Sequence, residues 1–229
     1  MRGARIAIVA ALPREIAGLV RGTRPDADLL RRGIHLHLVQ GAVVAAAGMG
    51  TARATLAFAA ATREEAVELV ISTGLAGACS AAVHAGEAVD AALVIDAKTG
   101  ERFACDGPSH AQRVLVTSNA IAGVREKARL HESYGASLVD MEAAAVARLA
   151  RARGLRFRAI KGVSDAHDFE MESMNRFASP SGQFRTAAFA LHTAMRPQRW
   201  SAAMRLGRDS NRALAKMWAE LRRAMDAAR

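Results

Sequence analysis

The stretch AIKGVSD, residues Ala159–Asp165, decides the predicted fold, because it has the composition of a buried strand and ends in an aspartate. Parallel strands are covered on both faces and therefore form nearly continuous apolar runs. In open α/β sheets, ligands bind just beyond the carboxyl ends of such strands. Asp165 is thus placed where an ionisable group can do chemistry, although a serine-aspartate pair is also common in helix caps and surface turns.

Similar apolar runs predict the rest of an α/β fold. We predict strands over residues 6–11, 34–39, 42–47, 69–73, 89–95, 114–117 and 157–163. Helices are predicted from Pro13, over 51–61, over 140–153 with Asp140 as the N-cap, over 182–195 and over 200–227. Gly48–Gly50 and Gly74–Gly77 are predicted as flexible turns that follow strands. Strands and helices that intermix without repeats favour a central mixed sheet flanked by helices.

The composition is that of one folded domain. With 229 residues, of which 51% are hydrophobic, the chain is long enough to bury one core, and we expect a single domain over 1–229. Cys79 and Cys105 are too few for a disulfide framework and lack zinc-ligand spacing. The N-terminal apolar run, 6–12, is followed by Pro13 instead of a cleavage site, so we expect a cytoplasmic protein.

The positive charge is concentrated at the C-terminal end. The chain carries a net charge of +10, and residues 196–229 hold nine Lys and Arg against three acidic residues, a net +6. Leu214, Met217, Trp218 and Leu221 follow helical spacing and predict a basic amphipathic helix within a C-terminal extension, 197–229. Such a helix packs on the domain or on a neighbouring subunit, or lies on an anionic membrane surface. The charge also suits a nucleic-acid-binding protein without enzymatic activity, but aromatic residues are only 4% and no nucleic-acid motif is present.

Three carboxyl groups are candidates for acid–base chemistry. A buried Asp165 would stay partly protonated and could donate a proton near neutral pH. Glu142 and Glu15 each lie near the start of a predicted helix, where the helix dipole alone favours a carboxylate. Glu142 could instead accept hydrogen bonds from a vicinal diol. The acidic run 167–172 could bind a metal, but a solvated loop is the simpler interpretation, and neither glycine segment has the spacing of a dinucleotide or triphosphate site.

Taken in order, several segments resemble the purine nucleoside phosphorylase/nucleosidase superfamily, and within it 5′-methylthioadenosine/S-adenosylhomocysteine nucleosidases and hopanoid-associated phosphorylases. The matching segments are 6–15, 47–50, 72–77, 139–143 and 163–165. The most specific part is VDME at Val139–Glu142, followed about 20 residues later by the Ser164-Asp165 pair. The resemblance implies a phosphorylase-like three-layer α/β fold with a C-terminal helical extension.

The resemblance also implies roles for individual residues. Asp165 would be the general acid that protonates N7 of the purine, and Glu15 would orient and deprotonate the attacking water. Glu142 would hold the ribose hydroxyls while Met141 packs beneath the sugar. The other substrate-binding residues that it implies are Ser164, Gly50, Gly74, Leu75, Ala76 and Gly77, together with Ile121 and Ala122 at the wall that contacts the base.

The implied reaction is cleavage of the N-glycosidic bond of a purine, adenosine-type nucleoside by water. Ser72 and Leu75 stand where phosphorylases of the superfamily carry phosphate-binding residues, which favours hydrolysis. Hopanoid-associated members often have an aliphatic residue at the position of Leu75, so phosphorolysis of an adenosyl-lipid stays open as the alternative. No organic cofactor or metal is expected, phosphate is a possible co-substrate, and we expect a homodimer with a small-molecule nucleoside and no nucleic acid as partner.

Overall fold

The computed structural model describes residues 6–63, 66–107, 112–177 and 200–227. The strands are β1 (Ile6–Ala10), β2 (His35–Val39), β3 (Ala42–Ala46), β4 (Leu69–Ala78), β5 (Ala88–Asp90), β6 (Leu93–Asp96), β7 (Arg102–Ala104), β8 (Val114–Thr117), β9 (Leu138–Asp140) and β10 (Arg156–Asp165). The helices are α1 (Pro13–Ile16), α2 (Ala27–Arg31), α3 (Thr51–Ala61), α4 (Val124–Tyr134), α5 (Ala143–Ala152), a 3₁₀ helix (Glu172–Phe177) and α6 (Trp200–Ala227).

Within these residues the ten strands form one mixed sheet, as the apolar runs predict. Its main path is β2-β3-β1-β4-β9-β8-β6-β7, and β10 lies beside β4 and β5. The strands β3, β1, β4 and β10 run parallel to one another. Their carboxyl ends therefore meet at one edge of the sheet, which is where ligands bind in α/β folds.

The two faces of the sheet are covered by different helices, which gives three layers. Side chains alternate along each strand, so that Ala7 and Val9 of β1 pack with α3 and α5, whereas Ile6 and Ile8 pack with α6. A third cluster joins β6, β8 and β9 to Leu130 of α4. This burial of an apolar stripe by each layer is what stabilises the fold.

The strand pairing corrects one predicted strand and one predicted turn. The segment 89–95 forms two strands, because β5 pairs antiparallel with β10 whereas β6 pairs parallel with β8. The predicted turn at Gly74–Gly77 is wrong: these residues continue β4, and each of them pairs with a residue of β10, ending with Gly77 opposite Asp165. A long partner strand thus supplies hydrogen bonds that override the local preference of glycine for turns.

The start of helix α5 also differs from the prediction, next to the candidate site residue Glu142. The helix predicted from Asp140 begins at Ala143, and Asp140 is the last residue of β9, from where its carboxylate accepts the Ala143 N–H at 2.9 Å. Glu142 therefore occupies the N-cap position. Helix α6 has the predicted bounds, whereas the helix predicted over 182–195 lies outside the described residues. No helix in the described ranges is both long and apolar enough to cross a bilayer.

Candidate active site

A cavity of about 330 Å³ opens at the sheet edge where the parallel strands end. The predicted site residues that line it are Glu15, Leu75, Ala76, Gly77, Ile121, Ala122, Met141, Glu142, Ser164 and Asp165. Gly50 and Gly74 do not line the cavity but contact the carboxylates that do. The structure thus brings the predicted residues to one space from α1, from the ends of β4 and β10, and from the segments that follow β8 and β9.

Glu15 is held rigidly by backbone amides. Its Oε2 accepts the N–H groups of Ala11 at 3.1 Å and Leu12 at 2.8 Å, and its Oε1 accepts the N–H of Leu75 at 3.0 Å. Gly74 beside it has a φ of +124°, and a Cβ there would lie 2.9 Å from Glu15 Oε2. Glycine is therefore required at position 74 for both the backbone conformation and the close approach of the carboxylate.

Glu142 also lines the cavity and is 9% exposed. Its Oε1 accepts the Gly50 N–H at 2.7 Å, and its Oε2 accepts the Met141 N–H at 3.3 Å. Burial raises the pKa of Glu142 to about 7, an effect that nearby Asp140 reinforces and Lys161 opposes. This carboxyl can therefore change its protonation state near neutral pH.

A buried ion pair lies next to Glu142. The Lys161 ammonium is 2.9 Å from Asp140 Oδ2 and donates to Ser72 Oγ and to the Thr73 carbonyl, each at 3.1 Å. The hydroxyl of Thr117 donates to Asp140 Oδ1 at 2.7 Å. Because both charges of this pair are hydrogen-bonded, the pair is tolerated in the interior, and Asp140 also lines the cavity.

Asp165 is 4% exposed and faces the same cavity as Glu142. Its Oδ1 accepts the hydroxyl of Ser164, and its Oδ2 contacts the ammonium of Lys127. Burial raises the pKa of Asp165, and both Lys127 and the Ser164 hydroxyl oppose that increase. Asp165 is therefore buried, as expected for an acid that must keep a proton, and it also has a cationic partner that the sequence analysis did not anticipate.

The remaining walls are mostly apolar. Met174 of the 3₁₀ helix and Met171, which immediately precedes that helix, line one wall. The helix is tied to Ile121 by Asn175, whose side-chain amide accepts from the Ile121 N–H and donates to the Ile121 carbonyl, each at 2.9 Å. Helix α6 closes the cavity with Ala203, Leu206, Gly207, Ser210 and Asn211. An apolar enclosure with a few convergent polar groups is the usual form of a small-molecule site.

Several lining residues were not predicted from the sequence: Lys127, Met171, Met174 and those of α6. Lys127 and Leu130 are the buried residues of α4, and their spacing of three places both on one helix face. That spacing was the sequence signal that Lys127 could be buried, although a lysine on such a helix face is more often interpreted as exposed to solvent. Among the residues that the structure describes, no group of three or more His, Cys, Asp and Glu side chains is arranged to hold a metal ion.

Chemically, the arrangement offers three carboxyl groups around a largely apolar space. Asp165 and Ile121 line the same cavity, and the Met141 N–H donates to Glu142 Oε2. Glu15 has its oxygens tied to the backbone of β4 and of the β1–α1 connection. A ligand with several hydroxyls and one basic, planar ring would find both hydrogen-bond acceptors and a proton donor in this space.

Comparison with known proteins places this geometry in context. The family model of the Phosphorylase superfamily matches residues 87–192, which include Glu142 and Asp165. Comparison with curated protein sequences found no match.

Solved structures share the fold. The 5′-methylthioadenosine/S-adenosyl homocysteine nucleosidase of Helicobacter pylori superimposes with a TM-score of 0.65 at 15% identity, covering 96% of this chain and 99% of that one. The corresponding enzyme of Neisseria meningitidis, in complex with methylthio-immucillin-A, gives 0.63 at 21% identity over 93% and 99%. The futalosine hydrolase of H. pylori gives 0.59 at 19% identity over 82% and 95%.

At these identities the structural likeness establishes a shared three-layer fold. The sequence match is independent of it and covers the segment that carries VDME and the Ser164-Asp165 pair. The predicted resemblance to the purine nucleoside phosphorylase/nucleosidase superfamily is thereby confirmed, on the family match over 87–192 and on the fold that this chain shares with methylthioadenosine nucleosidases.

Proposed function

We propose that residues 1–229 form one nucleoside phosphorylase-like domain that cleaves the N-glycosidic bond of a purine, adenosine-type nucleoside with water as the nucleophile. The observation that carries the proposal is the convergence of Glu15, Glu142 and Asp165 on a single cavity of about 330 Å³. The structures that share this fold include methylthioadenosine/S-adenosylhomocysteine nucleosidases and a futalosine hydrolase, which supports the same reaction class.

Asp165 acts as the general acid in this proposal. Cleavage leaves negative charge on the purine, and a proton delivered to N7 makes the base a neutral leaving group. The raised pKa of Asp165, caused first by burial, keeps a larger share of the carboxyl protonated than in water. General acid catalysis contributes about 10²–10⁴-fold, so loss of this proton donor should reduce turnover much more than binding.

Glu142 binds the sugar. The departing base leaves oxocarbenium character on the ribose, which a nearby carboxylate stabilises. The hydroxyls of ribose can donate to Glu142, whose two oxygens are already oriented by the Gly50 and Met141 amides. Met141 also lines the cavity and provides an apolar surface under the ring.

Glu15 orients the nucleophile. Its carboxylate is fixed by three backbone amides and faces the cavity, so it can accept a proton from a water molecule that attacks the sugar. A phosphate anion would have to approach the two carboxyl groups of Glu15 and Glu142, which is unfavourable by charge. Phosphorolysis of an adenosyl-lipid, suggested by Leu75, is the alternative reaction.

The test incubates adenosine, methylthioadenosine and an adenosyl-lipid with the purified protein, with and without phosphate, and identifies the sugar product. Free ribose, or the 5′-substituted ribose, in phosphate-free buffer is the expected result. A ribose 1-phosphate that appears only with added phosphate would establish the alternative. Asp165→Asn should abolish release of the base, and full activity in that variant would contradict the assigned acid.

Two expectations concern partners. Leu30, Leu38 and Leu56 are exposed on the neighbouring elements α2, β2 and α3, which supports a homodimer. Sedimentation analysis at micromolar concentration measures the oligomeric state.

The apolar face of α6 is buried against the sheet, so a membrane contact would have to use exposed residues such as Met204. Co-sedimentation with anionic liposomes tests that contact, and retention on DNA at physiological salt tests the nucleic-acid alternative.

A further inference from the structure

Lys127 is almost completely buried, and all three N–H donors of its ammonium bond to one short segment. Its side chain is 1% exposed, and its ammonium contacts Asp165 Oδ2 and donates to the carbonyls of Ala166 and Phe169, each at 2.9 Å. An ammonium has three N–H donors and no acceptor. All three are therefore used by the end of β10 and the residues that follow it, so α4 fixes the position of the Asp165 carboxyl.

The opposite strand is built around this pair. Gly77 of β4 lies opposite Asp165, and a Cβ at position 77 would come within 3.1 Å of Asp165 Oδ2 and 3.2 Å of Lys127 Cε. Both distances are tighter than ordinary van der Waals contact. The absence of a side chain at residue 77 thus leaves room for the ion pair in a densely packed interior.

No second cation contacts Asp165 in the ranges that the structure describes. The Cys79 thiol at the end of β4 has its pKa raised to about 12 by burial and is therefore neutral. Arg205 and Asp209 of α6 line a second hollow of about 130 Å³ together with Asp165; Arg205 stacks over the Phe169 ring at 5.4 Å, and Asp209 lies 3.9 Å from Arg208 Nε. Glu126 beside Lys127 forms its own ion pair with Arg129 on the surface.

We propose that Lys127 is a positioning residue for the cleavage reaction: it aims the Asp165 carboxyl at the base and stabilises the carboxylate that remains once the proton has left. The inference rests on the proposed function. In the step, the O–H bond of Asp165 breaks and an N–H bond forms at N7, while the C1′–N9 electron pair moves to the base. The water oxygen bonds to C1′, and its proton passes to Glu15.

A buried cation at this place has two opposing effects. It lowers the energy of the ionised acid, which favours proton transfer to the base, and it also makes Asp165 lose its proton at lower pH. Without the cation, only the Ser164 hydroxyl still opposes the effect of desolvation on the pKa of Asp165. We therefore expect the alkaline limb of kcat/KM, where the acid loses its proton, to move to higher pH, while the maximal rate falls by about 10- to 100-fold, part of what a general acid contributes.

The experiment compares Lys127→Met and Lys127→Gln with Lys127→Arg, and uses Lys98→Met as the control because Lys98 is exposed in a turn remote in sequence from α4. Two readouts are taken: the pH profile of nucleoside cleavage, and the titration of the Asp165 carboxyl followed by ¹³C NMR without substrate, with Asp165→Asn for assignment. The two neutral variants should shift both readouts to higher pH, whereas the arginine and control variants should not. Circular dichroism establishes which variants fold, and the glutamine variant, which can still donate to the carbonyls, replaces the methionine variant if that one unfolds.

The outcomes separate the two proposals. If the wild-type protein releases no base from any purine nucleoside, the proposed function fails, and the role of Lys127 in cleavage fails with it. If the wild type is active but a folded neutral variant keeps the wild-type alkaline limb and the wild-type titration of Asp165, Lys127 is merely structural and the inference alone is overturned. A shift in both readouts supports it.

Discussion

The indole Nε1 of Trp218 donates a 2.6 Å hydrogen bond to the backbone carbonyl of Glu15, across 203 residues of sequence. Four residues further along α6, Arg222 donates to the Gly18 carbonyl, also at 2.6 Å. These bonds join the C-terminal helix to the segment that carries a proposed catalytic carboxylate. The basic helix is therefore part of the frame of the site, in addition to lining its cavity.

Trp218→Phe should reduce both kcat and stability. The phenyl ring keeps most of the contact with Gly18, against which the indole packs, but the Glu15 carbonyl loses its donor. A part-buried acceptor left unpaired costs about 1–3 kcal/mol, and the helix turn that carries Glu15 gains freedom. We expect a fall in kcat of about 3- to 10-fold, equivalent to roughly 1 kcal/mol in the barrier. Steady-state kinetics and thermal melts measure both effects.

The matched control is Trp200→Phe, because Trp200 lies at the start of the same helix and is 49% exposed. Its activity should equal that of the wild type. Equal activity of both variants would show that the bond between Trp218 and Glu15 has no part in positioning the carboxylate.

The fold was largely predictable because its strands are long apolar runs. β1, β3 and β8 follow the predicted bounds to within one residue, since each is buried on both faces and has no competing pattern. The continuation of β4 through Gly77 was not predictable from its glycines, because it depends on the partner strand β10, which is distant in sequence. β9 has only three residues, which are too few to show the two-residue alternation of a strand.

The candidate site was predictable only in its acids. Glu15, Asp165 and Glu142 follow strands or open helices, and the order of their motifs is visible in the sequence. The ion pair of Lys127 with Asp165 depends on the packing of α4 against two strand ends, which no local pattern encodes. The approach of α6 to the cavity likewise depends on tertiary packing.

Glu142→Gln should be more stable than the wild type above neutral pH. Burial raises the pKa of Glu142 from 4.5 to about 7 in the folded protein, so the unfolded chain ionises first as pH rises. The unfolded state then binds fewer protons, and the free energy of unfolding falls between pH 4.5 and pH 7. At about 1.4 kcal/mol per unit of pKa, this group alone removes roughly 3 kcal/mol by pH 8.

The measurement is urea denaturation of both proteins at pH 4.5 and pH 8, because the difference between them isolates Glu142 from other titrating groups. The glutamine variant should gain stability relative to the wild type only at the higher pH, while its KM for nucleoside should rise because the carboxylate proposed to bind ribose is lost. An equal stability difference at the two pH values would mean that this carboxyl does not have a raised pKa.

Gly77→Ala should impair catalysis with a smaller effect on folding. The new methyl group would lie 3.1 Å from Asp165 Oδ2 and 3.2 Å from Lys127 Cε, so the ion pair must move. A displacement of a catalytic group by a few tenths of an ångström to 1 Å reduces rates by about 10- to 100-fold. Single-turnover kinetics measure the chemical step directly. Gly100→Ala is the contrasting variant. Its φ of +73° predicts a loss of stability, but a Cβ at position 100 would have no atom of another described residue, apart from its chain neighbours, within 4 Å, so activity of the folded protein should persist.

Lys161→Met should be the most destabilising of these substitutions. It removes the cation 2.9 Å from Asp140 and leaves a fully buried carboxylate whose charge is no longer compensated. Breaking such a pair costs about 3–5 kcal/mol, whereas Arg31→Met, which breaks the exposed pair with Asp28, should cost about 1 kcal/mol or less. Denaturant unfolding measures both.

The double variant Lys161→Met with Asp140→Asn should recover part of the loss, because the remaining buried charge is removed as well. If the double variant is as unstable as Lys161→Met alone, the ammonium stabilises the fold through its bonds to Ser72 and Thr73 and not through its charge.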